Sequence, residues 1–174
     1  MKKMTELLNK ITAGNCVDLM KCLPDNSVDM CITSPPYDNL RTYKGYSFPF
    51  DDIAKELYRI IKEGGVVVWV VNDATINGSE TGTSFKQALK FKEIGFNLHD
   101  TMIFLKTNPI PQIYRKRYTN VFEYMFVLSK GTVKTHNPLT IPCMHAGLEL
   151  KGTTYKNFST GTQTRGKMAK PVKN

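Results

Sequence analysis

The run Val66-Val67-Val68-Trp69-Val70-Val71 limits what this chain can fold into more than any other stretch. Six consecutive apolar residues, five of them β-branched, make a strand without a polar face. A strand buried on both sides belongs inside a largely parallel sheet with helices packed over it. The preceding residues agree. From Asp51 to Glu63, the residues Ile53, Leu57, Ile60 and Ile61 recur at helical spacing, and Asp51 and Asp52 suit the positive end of the helix dipole. Gly64-Gly65 is the expected stop. Val28 to Ile32 reads as an earlier short strand. Strand, helix, strand in this order is a right-handed crossover unit, so the fold class is α/β.

The rest of the chain extends that pattern. Ile11 to Asn15 predicts a short strand, and Cys16 to Leu23 a brief helix ended by Pro24. Gly78 to Gly82 reads as a flexible turn. Ser84 is the expected cap of a second helix, with Phe85, Ala88, Leu89 and Lys92 on one stripe and Gly95 at its end. Asn97 to Leu105 and Asn120 to Leu128 predict two more strands. After Lys130 the periodicity disappears, and no helix or strand is predicted there. The 174 residues, 41% hydrophobic, amount to one domain or a large part of one.

A net charge of +9 favours a polyanionic partner. The charge is uneven: from Gly131 onward seven cations face Glu149 alone. Cys16, Cys22, Cys31 and Cys143 show no metal-ligand spacing, nor do His99, His136 and His145, so no metal site is predicted. Reduced thiols and the lack of a leader or an apolar span predict a cytoplasmic protein with no membrane partner. Two polar, basic loops stand out. Residues 38–50 follow the first strand and carry Arg41 and Lys44 with Tyr43 and Tyr46. The loop between the last two strands interleaves Lys106, Arg115, Lys116 and Arg117 with Tyr114 and Tyr118. Both suit nucleic acid.

Ser34-Pro35-Pro36-Tyr37 stands directly after the Val28–Ile32 strand. Two prolines forbid helix and remove two backbone donors, so the carbonyls of Ser34 and Pro35 lack a local N–H to accept from. The Ser34 hydroxyl adds an acceptor, and Tyr37 adds a flat aromatic face. Such a site accepts hydrogen bonds from an amino group carried on an aromatic ring.

This stretch resembles the catalytic motif of the DNA amino-methyltransferases. Asn26-Ser27-Val28-Asp29 and the upstream Gly14-Asn15 are similar to that family's approach to the motif. The resemblance covers about the first 130 residues. It implies a Rossmann-like methyltransferase sheet, mostly parallel with the last strand antiparallel, and here incomplete. It implies S-adenosyl-L-methionine as cofactor, and double-stranded DNA with a flipped target base as substrate, as in restriction-modification. Ser34, Pro35, Pro36 and Tyr37 would be catalytic. Asn15, Asp18 and Asp73 would approach the cofactor or the base pocket, against the alternative that Asn15 and Asp73 are ordinary turn and capping residues. Arg41, Lys44, Arg115, Lys116 and Arg117 would contact DNA. Residues 1–130 would form the catalytic part, and residues 131–174 would open a basic target-recognition segment.

Serine in the first motif position leans toward cytosine N4, with adenine N6 the alternative. Pro142-Cys143 offers a cytosine-C5 nucleophile without that family's other motifs. No glycine loop for the methionine end of the cofactor is encoded. A truncated sequence, a second chain supplying the missing half, and an inactive DNA-binding fragment all stay open.

Overall fold

A computed structural model describes residues 7–36, 48–112 and 116–137 in full, and residues 153–156 and 163–166 as backbone. The chain divides into two compact units, Met1–His136 and Asn137–Asn174.

The first unit is built on a four-stranded sheet of order β1-β2-β6-β5. Its strands are β1 (Val28–Thr33), β2 (Ile61–Val71), β5 (Asn97–Leu105) and β6 (Phe122–Ser129). β1 and β2 pair in parallel, while β6 runs antiparallel to both β2 and β5. Three strands therefore point one way, and the last one in the chain is reversed and inserted between β2 and β5. The sheet is mixed α/β, as the alternation of strand and helix predicts. Residues 11–15 form no strand: Asn15 instead caps α1 (Cys16–Met20), its Oδ1 accepting from the backbone N–H of Val17 at 2.9 Å.

α2 (Phe50–Ile60) and α3 (Thr83–Ile94) cover one face of the sheet. On that face Val67, Trp69 and Val71 of β2 and Phe126 and Leu128 of β6 are buried against Ile53, Leu57, Ala88 and Phe91. Trp69 and Phe91 meet edge to face at 5.0 Å, and the buried indole N–H donates to Gln87 Oε1 at 2.8 Å. The buried face of α3 is Ser84, Gln87, Ala88 and Phe91. Of the expected stripe only Ala88 is buried; Phe85 and Leu89 are 50% and 60% exposed. Phe91 won because its ring fits the aromatic cluster around Trp69, which rotates the helix away from the stripe its sequence suggests.

α2 ends three residues earlier than its periodicity predicts. The N–H groups of Asn26 and Ser27 take the carbonyls of Arg59 and Ile60, at 3.0 and 2.8 Å, and Val28 pairs with Ile61. The helix therefore passes straight into β2, and Gly64-Gly65 lies inside the strand. There the β1–β2 register slips between Val28 and Met30. Gly64 adopts φ +83°, and a Cβ on Gly65 would stand 2.7 Å from the Asp29 carbonyl oxygen. The glycine pair is thus a bulge rather than a helix stop.

Arg59 fastens the chain that leads into β1. Its guanidinium donates to the carbonyls of Met20 and Leu23, at 2.8 and 2.9 Å, and pairs with Asp25 and Glu56. The expected turn at residues 78–82 is part of a small hairpin, β3 (Thr75–Ile76) and β4 (Ser79–Glu80), turned by Asn77 and Gly78 at φ 49° and 80°. Those angles are the left-handed pair that a two-residue hairpin loop needs.

The other face of the sheet has no covering layer among the described residues. Met30, Ile32, Met102 and Phe104 are each about half exposed or more, between 49% and 66%.

In the second unit, β7 (Thr153–Lys156) and β8 (Gln163–Gly166) form an antiparallel hairpin. No strand is predicted there from sequence, because neither segment alternates polar and apolar residues.

Candidate active site

β1 and β2 are parallel, with Thr33 level with Trp69, so both end at the same edge of the sheet. At that edge Ser34, Pro35 and Pro36 leave β1, and Asn72 and Asp73 leave β2. Ligands of open α/β sheets bind at this carboxyl edge. β5 ends and β6 begins there too, because each pairs antiparallel with its neighbour in the order given. The basic loop between β5 and β6 therefore rises from the same edge as the Ser-Pro-Pro motif.

Two cavities open along it. The first, of about 370 Å³, is lined by Ser34, Pro35 and Pro36 and by the apolar side chains of Met20, Phe48, Ile53, Leu57 and Trp69. Cys16, Cys31 and Thr33 complete it, and no charged side chain lines it. Thr33 and Cys31 point inward because they share the parity of Val67 and Trp69 across the parallel register. Burial pushes the Cys31 thiol pKa above its ordinary value.

The second cavity, of about 840 Å³, lies under the β5–β6 loop. Phe122 and Tyr124 give it an aromatic wall, Asn72 and Asn120 an amide wall, and Lys106, Lys116 and Arg117 a basic rim. Lys106 pairs with Glu123 at 3.1 Å. Desolvation, followed by the Glu80 and Asp73 carboxylates, raises the pKa of Tyr124.

The sequence-predicted residues fall in three groups. Ser34, Pro35 and Pro36 come together at the first cavity; Tyr37, Arg41, Lys44 and Arg115 lie outside the described residues. Asn15 and Asp18 flank Cys16 on the α1 side, with Asn15 engaged as a helix cap and Asp18 3.7 Å from Lys21. Asp73 lines the second cavity, but its carboxylate is held by α3: it accepts from the Ser84 N–H at 2.9 Å and from the Ser84 hydroxyl. Asp73 thus caps α3 while also lining the second cavity. Of the loop cations, Lys116 sits at φ 52° on the rim, and Arg117 is tied to the β3–β4 hairpin through the Gly78 carbonyl at 2.8 Å and Glu80 at 3.0 Å. Sequence reasoning did not single out Asn72 and Asn120, which line the second cavity. Their only local signal was polar residues standing at the two ends of apolar strands. No described helix is long and apolar enough to cross a membrane.

Residues 28–170 match the family model described as DNA methylase. The chain belongs to the DNA methylase family. Among curated relatives it is 62% identical over 115 residues to the orphan methyltransferase M.BamHII of Bacillus amyloliquefaciens, a match spanning 66% of this chain and 43% of that protein. It is 30% identical over 155 residues to the type II methyltransferase M.MwoI of Methanothermobacter wolfeii, spanning 76% of this chain and 23% of the relative. The chain thus spans less than half the length of these DNA methylases. Among solved structures it resembles the cytosine-N4-specific PvuII DNA methyltransferase, with a TM-score of 0.59, 20% identity, and coverage of 69% of this chain and 48% of that one. It also resembles M1.HpyAVI solved as a complex with SAM, with a TM-score of 0.53, 21% identity, and coverage of 74% and 58%. These two likenesses establish the shared fold.

Proposed function

We propose that this DNA methylase chain carries the catalytic motif of an enzyme that methylates the exocyclic amine of cytosine at N4, on a base flipped out of double-stranded DNA. One observation carries the reading: Ser34, Pro35 and Pro36 stand at the carboxyl end of β1 and line a cavity of ligand size. The methyl donor would be S-adenosyl-L-methionine, which supplies an electrophilic methyl group on a sulfonium. The walls fit its flat adenine end: Trp69, Phe48 and Met20 offer apolar surface, and 370 Å³ lies in the range of small-ligand pockets. The uncharged lining offers nothing to the charged methionine end. Asn15 and Asp18 belong to the adenine side in this reading, and Asp73 to the floor of the neighbouring cavity.

The amine of cytosine is a weak nucleophile because its lone pair is delocalised into the ring. Ser34 Oγ and the Pro35 carbonyl would accept its two N–H bonds. That favours the pyramidal form in which the lone pair is localised, and it opposes the positive charge that develops as the methyl arrives. Holding donor and amine in line accounts for much of the remaining rate gain. Flipping the base costs a few kcal/mol, and stacking on Tyr37 would return about 1–3 kcal/mol. Arg41, Lys44, Arg115, Lys116 and Arg117 would hold phosphates, with residues 131–174 opening the target-recognition segment. The free thiols of Cys16, Cys22 and Cys31 suit the reducing cytoplasm.

The sheet face that none of the described residues covers supports a further element of this reading. α/β sheets of this kind bury both faces, and the matches span only 43% and 23% of the two curated relatives. Further polypeptide, from the same gene or a second chain, would cover Met30, Ile32, Met102 and Phe104 and bring the missing cofactor contacts.

The test is nucleoside mass spectrometry of DNA from methylation-free cells expressing the chain with the remainder of the domain. N4-methylcytosine is expected. Ser34→Ala should abolish it, and Tyr37→Ala should slow its formation roughly five- to 150-fold. N6-methyladenine in its place would move the reading to adenine. Methylation that survives Ser34→Ala would remove the motif from catalysis.

A further inference from the structure

We infer that Asn72 and Asn120 form a two-donor reader that selects cytosine over adenine in the 840 Å³ cavity; the inference rests on the base-amine methyltransferase reading. The two amides face each other across the start of β6. Asn72 Nδ2 donates to Asn120 Oδ1 at 3.3 Å, and Asn120 Nδ2 donates to Asn72 Oδ1 at 3.4 Å. Both are longer than the roughly 2.7–3.2 Å usual for an amide N–H donor. Asn72 Nδ2 also lies 3.4 Å from the Phe122 carbonyl.

Each oxygen also has a donor from outside the pair. Asn72 Oδ1 accepts from the Asp73 backbone N–H at 2.9 Å, and Asn120 Oδ1 faces Lys106 Nζ at 3.3 Å. Both outside partners can only donate, so the atoms they face must be oxygens. Each amide is thereby fixed with its NH2 group as the loosely bonded end. Two donors of this kind, side by side on the wall of a cavity backed by Phe122 and Tyr124, form a site for two adjacent acceptors on a flat ring.

Cytosine offers that pair in N3 and O2, next to its N4 amine. Adenine offers N1 next to its N6 amine, and then a C2–H where the second acceptor would be. In this inference a ring with its amine on the Ser34–Pro35 acceptors of the first cavity would turn this edge toward the neighbouring strand and the second cavity. Thr33 is level with Trp69, and Asn72 lies three residues past Trp69 on a strand about 4.8 Å away. Cytosine would replace two long amide bonds with two new ones. Adenine would leave one donor facing carbon, and a polar group left unpaired under a bound ligand is what makes a site reject the wrong one.

The test uses the isotope-labelled 174-residue chain titrated with deoxycytidine monophosphate and, separately, deoxyadenosine monophosphate, read by nuclear magnetic resonance of the side-chain amides. The Asn72 and Asn120 NH2 signals should move with the cytosine nucleotide. Its half-saturation should be about fivefold or more below that of the adenine nucleotide. Asn72→Asp and Asn120→Asp, which keep shape and remove the donor, should bring the two nucleotides to within about twofold. Asn120→Ala should do the same should either acidic variant fail to fold. Gln112→Ala, on the same cavity wall, should keep the preference. Equal affinity for both nucleotides, no binding, or shifts confined to the Trp69 cavity would overturn the inference. None of these results bears on whether N4-methylcytosine is formed, which the nucleoside analysis decides separately.

Discussion

Asp73 at the end of β2 holds the amino end of α3 through Ser84, its Oδ1 accepting the Ser84 backbone N–H at 2.9 Å and its other oxygen the Ser84 hydroxyl. The residue at the cap position of that helix is Gly82, which has no side chain to offer. The cap therefore comes from a residue just past β2, eleven residues earlier in sequence, and it ties the helix to the carboxyl edge where both cavities open.

Replacing Asp73 with Ala should lower unfolding free energy by about 2 kcal/mol. It loses a cap and leaves the fully buried Ser84 hydroxyl without its acceptor. Urea unfolding followed by far-ultraviolet circular dichroism measures this. A change within about 0.5 kcal/mol would mean that water replaces the carboxylate.

Gly65→Ala should be more harmful than an alanine at an exposed strand position. Its Cβ would meet the Asp29 carbonyl oxygen at 2.7 Å and the Lys62 carbonyl oxygen at 3.0 Å, both backbone atoms. Relieving that overlap should cost about 1–3 kcal/mol and shift the β1–β2 register next to the motif. A wild-type melting temperature in this variant would refute the bulge.

Cys31 should make stability depend on alkaline pH. Its folded pKa is raised by burial, so below the ordinary thiol value both states are neutral and the group has no effect. Above that value the unfolded chain ionises first, and stability falls as pH rises. Between about pH 8 and about pH 10 the wild type should therefore lose more stability than Cys31→Ala. In the folded protein, exposed Cys16 should react with a thiol reagent roughly tenfold or more faster than Cys31. Equal rates in single-cysteine variants would show that the first cavity is open to solvent.

The isolated chain should bind S-adenosyl-L-methionine weakly and DNA measurably. Trp69 is the chain's single tryptophan and lines the first cavity, so its fluorescence reports on ligand there directly. With only an apolar slot for the adenine end, the association entropy is poorly offset, and saturation should need at least about millimolar cofactor. DNA binding through lysine and arginine should fall steeply between about 50 and about 200 mM salt. Micromolar quenching of Trp69 would show that the described cavity already holds the whole ligand. Salt-insensitive DNA binding would remove the phosphate role from the loop and tail cations.

The amino-acid sequence alone determined the elements whose signal is local. The unbroken apolar run of β2, the stripe of Ile53, Leu57 and Ile60 on α2, and the proline pair that must break from β1 each act within a few residues. Each therefore survives in any context that buries it. The same holds for the Ser-Pro-Pro motif at a strand's carboxyl end, and that placement was legible before any coordinates. Tertiary structure decided what depends on partners far along the chain. The carbonyls of Arg59 and Ile60 went to Asn26 and Ser27, so α2 stopped early and Gly64-Gly65 became a bulge. Asp73 went to Ser84, so a residue that reads as a pocket acid also holds a helix. Asn72 and Asn120, 48 residues apart, meet only because β6 is inserted antiparallel between β2 and β5. Hydrogen bonds and packing across such separations are chosen by the sheet as a whole, and no local pattern of residues encodes them.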